Sequence, residues 1–306
     1  MVKDFLYENR WIFYIVFGII TLAGLFYIIS SSFVSLGVVE PQIYIIPVRG
    51  EIVLYDSGSL FGGGAYADQI VKEIELANED PFITAIILDI NSPGGSVVAT
   101  REIATAIENS EKPVVAWIRE VAASGGYWIS ASSDAIVADP ASMTGSIGVV
   151  GSYLEYSELL DDYGIKYEQL TSGKYKDTGT PFREITSEEK AMLQSKIDKL
   201  NIMFVQHVSD KRNLTPAQVS RIKTAEFFLG TEAKQLGLVD VLGSRAEAIT
   251  FAEALAEVDN SNVIEYSEDT SVIDNLLSSF SMQSYLIGRG IGDSMVQQDS
   301  GLEINA

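Results

Sequence analysis

Ala122-Ala123-Ser124-Gly125-Gly126-Tyr127-Trp128-Ile129-Ser130 follows one apolar run and opens another. The stretch reads as a corner where a strand ends and a helix begins, with residues on either side of the serine too small to block approach. Pro113–Ile118 is the incoming strand, Ser124–Ser133 the outgoing helix and Ala135–Ala138 a further short strand. Upstream, Ile43–Val48 reads as a strand, Ser57–Gly64 as a glycine-rich loop and Tyr66–Asn78 as a helix. Thr84–Ile90 is an apolar strand broken by Asp89, and Gly95–Asn109 the next helix. Downstream, Ile147–Val150 and Tyr167–Leu170 continue the strand pattern around a helix at Tyr156–Tyr163. Near-continuous apolar strands alternating with helices predict an α/β fold with a mostly parallel sheet covered on its faces.

Past Thr186 the chain turns helical. Ser187-Glu188-Glu189-Lys190 has a capping serine and acidic residues in its first turn, and the helix runs to about Arg212. Met192, Leu193, Ile197, Leu200 and Phe204 fall on one of its faces. Shorter helices follow at Thr215–Ile222, Thr231–Leu236 and Arg245–Val258. From Asp259 the sequence is polar, with one amphipathic helix expected at Val272–Leu286 and a flexible tail after it.

A chain of 306 residues can bury a full core. With no cysteine, disulfides and thiolate metal sites are excluded. A formal charge of −21 argues against a nucleic-acid surface, which needs clustered Lys and Arg. Trp11 to Val39 contains no charged residue. Its most apolar part, Trp11–Ile29, spans roughly 28 Å as a helix, close to the hydrocarbon thickness of a bilayer. Ser30-Ser31-Ser32 is a poor signal-cleavage site, so an uncleaved anchor is expected. Lys3 and Arg10 precede the span and no Lys or Arg follows until Arg49, which puts the short N-terminal tail in the cytoplasm and the rest outside.

A serine nucleophile needs an exposed Oγ and nearby backbone N–H groups for the developing oxyanion. Asn91-Ser92-Pro93-Gly94-Gly95, after another apolar strand, is a second glycine corner able to supply one of them. The usual proton acceptor is missing, because the single histidine, His207, lies mid-helix in Met203-Phe204-Val205-Gln206-His207 and reads as structural. Caseinolytic serine peptidases share such corners, but where their histidine would follow the serine this chain has Gly148-Val149-Val150. A Ser-His-Asp triad is therefore disfavoured. Lysine is the remaining base, and to accept a proton it must be neutral, so its reference pKa of about 10.4 must fall. Thr171-Ser172-Gly173-Lys174-Tyr175-Lys176-Asp177 is the one lysine-bearing loop entered from a predicted sheet strand. The residues alone leave Lys174 and Lys176 equally open. Asp177 would hold a neighbouring lysine charged if it turned inward, so it is expected to face away, with Arg183 a candidate partner.

Five motifs occur in order: Ser92-Pro93-Gly94-Gly95, Ser124-Gly125-Gly126-Tyr127, Thr144-Gly145-Ser146-Ile147-Gly148, Lys176-Asp177, and Ala233-x-x-Leu236-Gly237-Leu238-Val239-Asp240. Together they resemble the short, single-domain form of the signal peptide peptidase A (SppA) family of membrane-anchored Ser–Lys peptidases, over roughly Gln42 to Glu257. The resemblance implies a ClpP/crotonase-like spiral of strand–helix units preceded by one N-terminal transmembrane helix. It implies Ser124 as nucleophile, Lys176 as general base, Ser146 orienting the lysine, and the N–H groups of Gly95 and Gly125 as oxyanion hole. Neither metal nor cofactor is implied. Expected divisions are a cytoplasmic tail at 1–10, an anchor at 11–31, a tether at 32–41, a peptidase domain at 42–258 and a C-terminal segment at 259–306.

The implied substrates are signal-peptide remnants and other apolar, unfolded peptides beside a membrane. The double-length members of the family carry lysine and serine in different halves, so this chain is expected to share its sites between subunits of a homo-oligomeric ring. Rival readings are a regulated Ser–Lys protease of a stomatin-like membrane partner, a crotonase-like acyl-CoA enzyme, and a non-catalytic membrane scaffold.

Overall fold

The computed structural model describes residues 21–22, 40–56 and 63–266. By contacts the chain divides into two compact units, Met1–Pro41 and Gln42–Ala306. In the first, Thr21 and Leu22 are helical. The rest of the expected anchor at 11–31 lies outside the described residues, as does the amphipathic segment at 272–286. Among the described residues no helix is long and apolar enough to cross a membrane.

The second unit is built on β1 (Gln42–Arg49), β4 (Ile83–Ser92), β5 (Val114–Ala123), β6 (Ala135–Ala138), β9 (Val241–Leu242) and β10 (Asn262–Glu265). They lie in the order β10-β1-β4-β5-β6-β9, and every pairing along that path is parallel. Two short strands, β2 (Ile52–Val53) and β3 (Ala65–Tyr66), pair separately. The fold is thus a mixed α/β one with a mostly parallel sheet.

One face of the sheet carries α1 (Ala67–Glu79), α2 (Val97–Glu108) and α3 (Gly125–Ala131), and the other carries α8 (Arg245–Ala256). Side chains of a strand alternate between faces. In β4, Ile86, Leu88 and Ile90 enter the core under α1 and α2, while Ala85 and Ile87 pack beneath Ala248 and Ala252 of α8. Burial on both faces explains why the strand reads as continuously apolar. The exception, Asp89, is 2% exposed and is neutralised by Arg49 and Arg119, with the Arg119 guanidinium over the Trp117 ring.

β5 does two jobs. Its first half pairs with β6, and its last residues, Val121–Ala123, pair with β7 (Met143–Gly145), whose far edge is closed by antiparallel β8 (Phe227–Leu229). This arrangement corrects two expectations. Ile147–Val150 and Tyr167–Leu170 are not strands: β7 ends at Gly145 with both its edges occupied, and neither segment pairs with any strand. The lysine-bearing loop is accordingly not entered from a strand. In its place lie turns and α4 (Ser157–Asp162), which buries no residue, and Val150, Leu154, Leu159 and Leu170 are left exposed.

The long helix α5 (Ser187–Lys211) starts on a capping box: the Thr186 Oγ1 accepts from the Glu189 N–H and the Glu189 carboxylate accepts from the Thr186 N–H at 3.0 Å. Apart from Glu189 in its first turn, its buried residues, Phe204, Val205 and Val208, lie in its second half. Short α6 (Pro216–Ile222) and α7 (Gly230–Gln235) complete the unit.

Candidate active site

β5 delivers Ser124 to the end of the sheet in a conformation that serine rarely adopts, φ 51° and ψ −120°. Such a backbone costs of order 1–3 kcal/mol and persists only where its surroundings over-determine it. Here the Ser124 N–H donates to the Gly145 carbonyl at 2.9 Å, and the Ser124 carbonyl accepts from the Trp128 N–H at 3.0 Å. The corner is thereby pinned to β7 on one side and to α3 on the other.

The second glycine corner packs directly against the first. A Cβ on Gly94, whose φ is +100°, would lie 2.7 Å from the Gly125 N and 2.9 Å from the Ser124 Cβ. One on Gly95 would collide with the backbone of Ile52, where the Ile52 N–H donates to Gly94 and the Ile52 carbonyl accepts from Ser96. Glycine at both positions is therefore a steric requirement. No acceptor among the described residues takes the N–H of Gly95 or of Gly125. Two unspent donors beside a strained serine can receive a developing oxyanion.

Ser124, Gly95 and Gly125 line a cleft of about 80 Å³, with Val97, Val149, Val150, Trp128 and Phe204 forming apolar walls. Phe204 of α5 stacks on Trp128 of α3, ring centroids 4.5 Å apart and 14° from parallel. The small volume and apolar lining suit a short apolar side chain.

The remaining expected residues fall as follows. Ser146 directly follows Gly145, the acceptor for Ser124; it is half-buried with φ 50°, and its N–H donates to the Glu226 carbonyl at 2.9 Å. Lys176 is exposed, does not line the cleft and makes no ion pair among the described residues. Ser124, Gly95 and Gly125 thus line one cleft; Ser146 and Lys176 do not line it, Ser146 following the glycine whose carbonyl accepts from Ser124. Lys174 is engaged elsewhere: its ammonium donates to Glu188 at 2.7 Å, and that bond raises its pKa. Asp177 is turned onto Arg183, accepting two bonds at 2.8 and 2.9 Å, and these hold its carboxyl below the usual range.

His207 lies outside the cleft. Its Nε2 is 2.9 Å from the Ser132 Oγ, its ring lies against Trp128, and burial pulls its pKa down. Among the described residues no group of three or more His, Cys, Asp or Glu is placed to hold a metal. Sequence reasoning missed Thr100, Trp128 and Phe204. The signal for Thr100 was a lone hydroxyl on the helical face Thr100-Ile103-Ala104-Ile107.

A parallel α/β sheet carrying a strained serine beside unspent backbone donors defines an enzyme equipped for acyl transfer. The profile of Peptidase family S49 matches residues 106–259, and that of the NfeD1b N-terminal domain matches residues 42–155. A candidate protease of Methanocaldococcus jannaschii is 37% identical over 220 residues, 70% of this chain and 69% of its own length. A candidate signal peptide peptidase SppA of Enterococcus faecium is 31% identical over 247 residues, 79% of this chain and 72% of its own. Among solved structures, a mutant of the membrane-bound stomatin-specific protease 1510-N in complex with a substrate peptide aligns with a TM-score of 0.50 at 18% identity. The alignment covers 79% of this chain and 98% of that one, a likeness of fold. The chain belongs to peptidase family S49 and is an SppA-like serine-type endopeptidase.

Proposed function

We propose that this protein is a membrane-anchored endopeptidase that cleaves apolar, unfolded peptides, signal-peptide remnants among them, with a Ser124–Lys176 dyad. The observation that carries the reading is the strained Ser124 corner facing two N–H groups, of Gly95 and Gly125, that have no other acceptor among the described residues. The neutral Lys176 amine takes the Ser124 proton as Oγ attacks the scissile carbonyl, and the two N–H groups receive the oxyanion. The ammonium then protonates the leaving amine as the C–N bond breaks, leaving an acyl-Ser124 ester. The lysine, neutral again, activates the water that hydrolyses it, and Ser146 orients the lysine throughout.

Lys176 comes from a neighbouring copy in a ring. Its exposure and its absence from the cleft lining support this, as do the uncovered Val150, Leu154, Leu159 and Leu170 earlier in the same stretch of chain. The anchor is residues 11–31, the tail before it is cytoplasmic, and the peptidase domain, 42–258, is extracytoplasmic. The apolar cleft supports the substrate class. The NfeD1b match over residues 42–155, together with the likeness of fold to a stomatin-specific protease, supports a narrower second reading, cleavage of one stomatin-like membrane partner.

The test is turnover of an apolar fluorogenic peptide by the full chain. Ser124→Ala should lower kcat by about a thousandfold or more, with an unchanged circular dichroism spectrum. Wild-type turnover by the folded variant would remove Ser124 from the mechanism.

A further inference from the structure

Thr100 is 1% exposed on the buried face of α2, and its Oγ1 is closed off from solvent without a hydrogen-bond partner. A helical hydroxyl has an easy remedy, donation to the carbonyl four residues back. Thr105, Ser130, Ser132 and Thr250 all take it, at 2.8 to 3.1 Å. Thr100 does not, although its own N–H reaches the Ser96 carbonyl at 3.0 Å. A buried orphan hydroxyl destabilises a fold, so its presence calls for a reason.

Its position supplies one. A Cβ on Gly125 would lie 2.5 Å from the Thr100 Oγ1 and 3.3 Å from the Gly95 N. The hydroxyl therefore stands beside both glycine corners, and Thr100 lines the cleft that holds Ser124. Valine, of nearly the same shape, would fill this apolar face without a polar atom.

We propose that the Thr100 hydroxyl is a third hydrogen-bond donor of the oxyanion site, completing in the tetrahedral intermediate the bond it lacks in the free enzyme. Catalytic hydrogen bonds commonly tighten only in the reacting complex. The hydroxyl proton stays on Thr100 throughout; it stabilises charge and transfers nothing. This inference rests on the serine-peptidase reading of the same cleft.

The experiment measures kcat, KM and thermal midpoint for the full chain with Thr100→Val, Thr100→Ser and Ser124→Ala on one apolar peptide. Thr100→Val should lower kcat about 10- to 100-fold with KM little changed. Its midpoint should hold or rise by about 2–4 °C, as expected for removing an orphan hydroxyl. Thr100→Ser, which keeps the donor, should stay within about threefold of wild-type kcat. Full activity in Thr100→Val overturns the inference, as does an equal loss of kcat in Thr100→Ser with a lowered midpoint, which would mark a packing role. If Ser124→Ala is dead while Thr100→Val is fully active, only the Thr100 role falls. If Ser124→Ala remains active, the underlying reading falls with it.

Discussion

Two lysines separated by one residue have opposite surroundings. Lys174 shares the Glu188 carboxylate with the Tyr175 hydroxyl, and its hydrogen bond to Glu188 favours the charged ammonium, the form that cannot accept a proton. Lys176 has no such partner among the described residues, and the carboxylate beside it in sequence, Asp177, is committed to Arg183. We expect Lys176→Ala to lower kcat/KM by about a thousandfold or more, the scale of losing a general base together with its hydrogen bond to the nucleophile. Lys174→Ala and His207→Ala should retain most activity in the same peptide assay. A dead Lys174→Ala beside an active Lys176→Ala would move the base by two residues. Sequence alone divided these lysines no further, because what separates them is a carboxylate 14 positions from Lys174. Gly94 and Gly95 were legible, since backbone contact leaves no room for a Cβ. Thr100 was not, since a threonine on an apolar helical face reads as core until its missing partner is seen.

Among the elements, the start of α5 carries the densest charge. Arg183 donates to Asp177 and, at 2.7 and 2.9 Å, to Glu189, a carboxylate 3% exposed that also closes the capping box with Thr186. Hydrogen bonds to Arg183 hold both carboxyls below their ordinary values of 4.5 for Glu189 and 3.8 for Asp177. A depressed carboxyl contributes stability that is present above its unfolded pKa and lost as pH falls through the folded one. Arg183→Met should therefore lower the thermal midpoint at pH 7, and the gap to wild type should narrow as pH falls from 4.5 towards 3. Calorimetry at both pH values checks this; a gap that widens in acid would mean that the clasp stabilises by something other than charge. Asp177 turned onto Arg183 was among the outcomes the residues suggested, and β1, β4, β5, β6 and the start of α5 were legible, although the cap is Thr186 and not the serine expected there. The failures were Ile147–Val150 and Tyr167–Leu170, where local apolarity suggested strands. Such a run becomes a strand only if it joins a ladder, and β7, the strand just before Ile147, is already paired on both edges, by β5 and by β8, a three-residue strand some 80 positions further along the chain.

At the scale of the molecule, the lysine proposed to serve the cleft does not line it, and several large apolar side chains between residues 150 and 170 are uncovered. A heterologous contact in which one copy's lysine reaches the next copy's serine must close into a ring or else grow into a filament. Sharing has a consequence that no single variant tests. A Ser124→Ala chain keeps its lysine, a Lys176→Ala chain keeps its serine, and each alone is inactive. Co-expressed in equal amounts under two affinity tags and purified through both, they form mixed assemblies. If sites lie between subunits, a wild-type serine meets a wild-type lysine at about a quarter of the interfaces, so activity should return to about a quarter of wild type. Skewing the expression ratio either way should lower that yield, because the fraction of productive pairs is the product of the two chain fractions. Inactive assemblies that carry both tags would show instead that each chain completes its own site, and Lys176 would then have to reach Ser124 by movement of the segment that bears it.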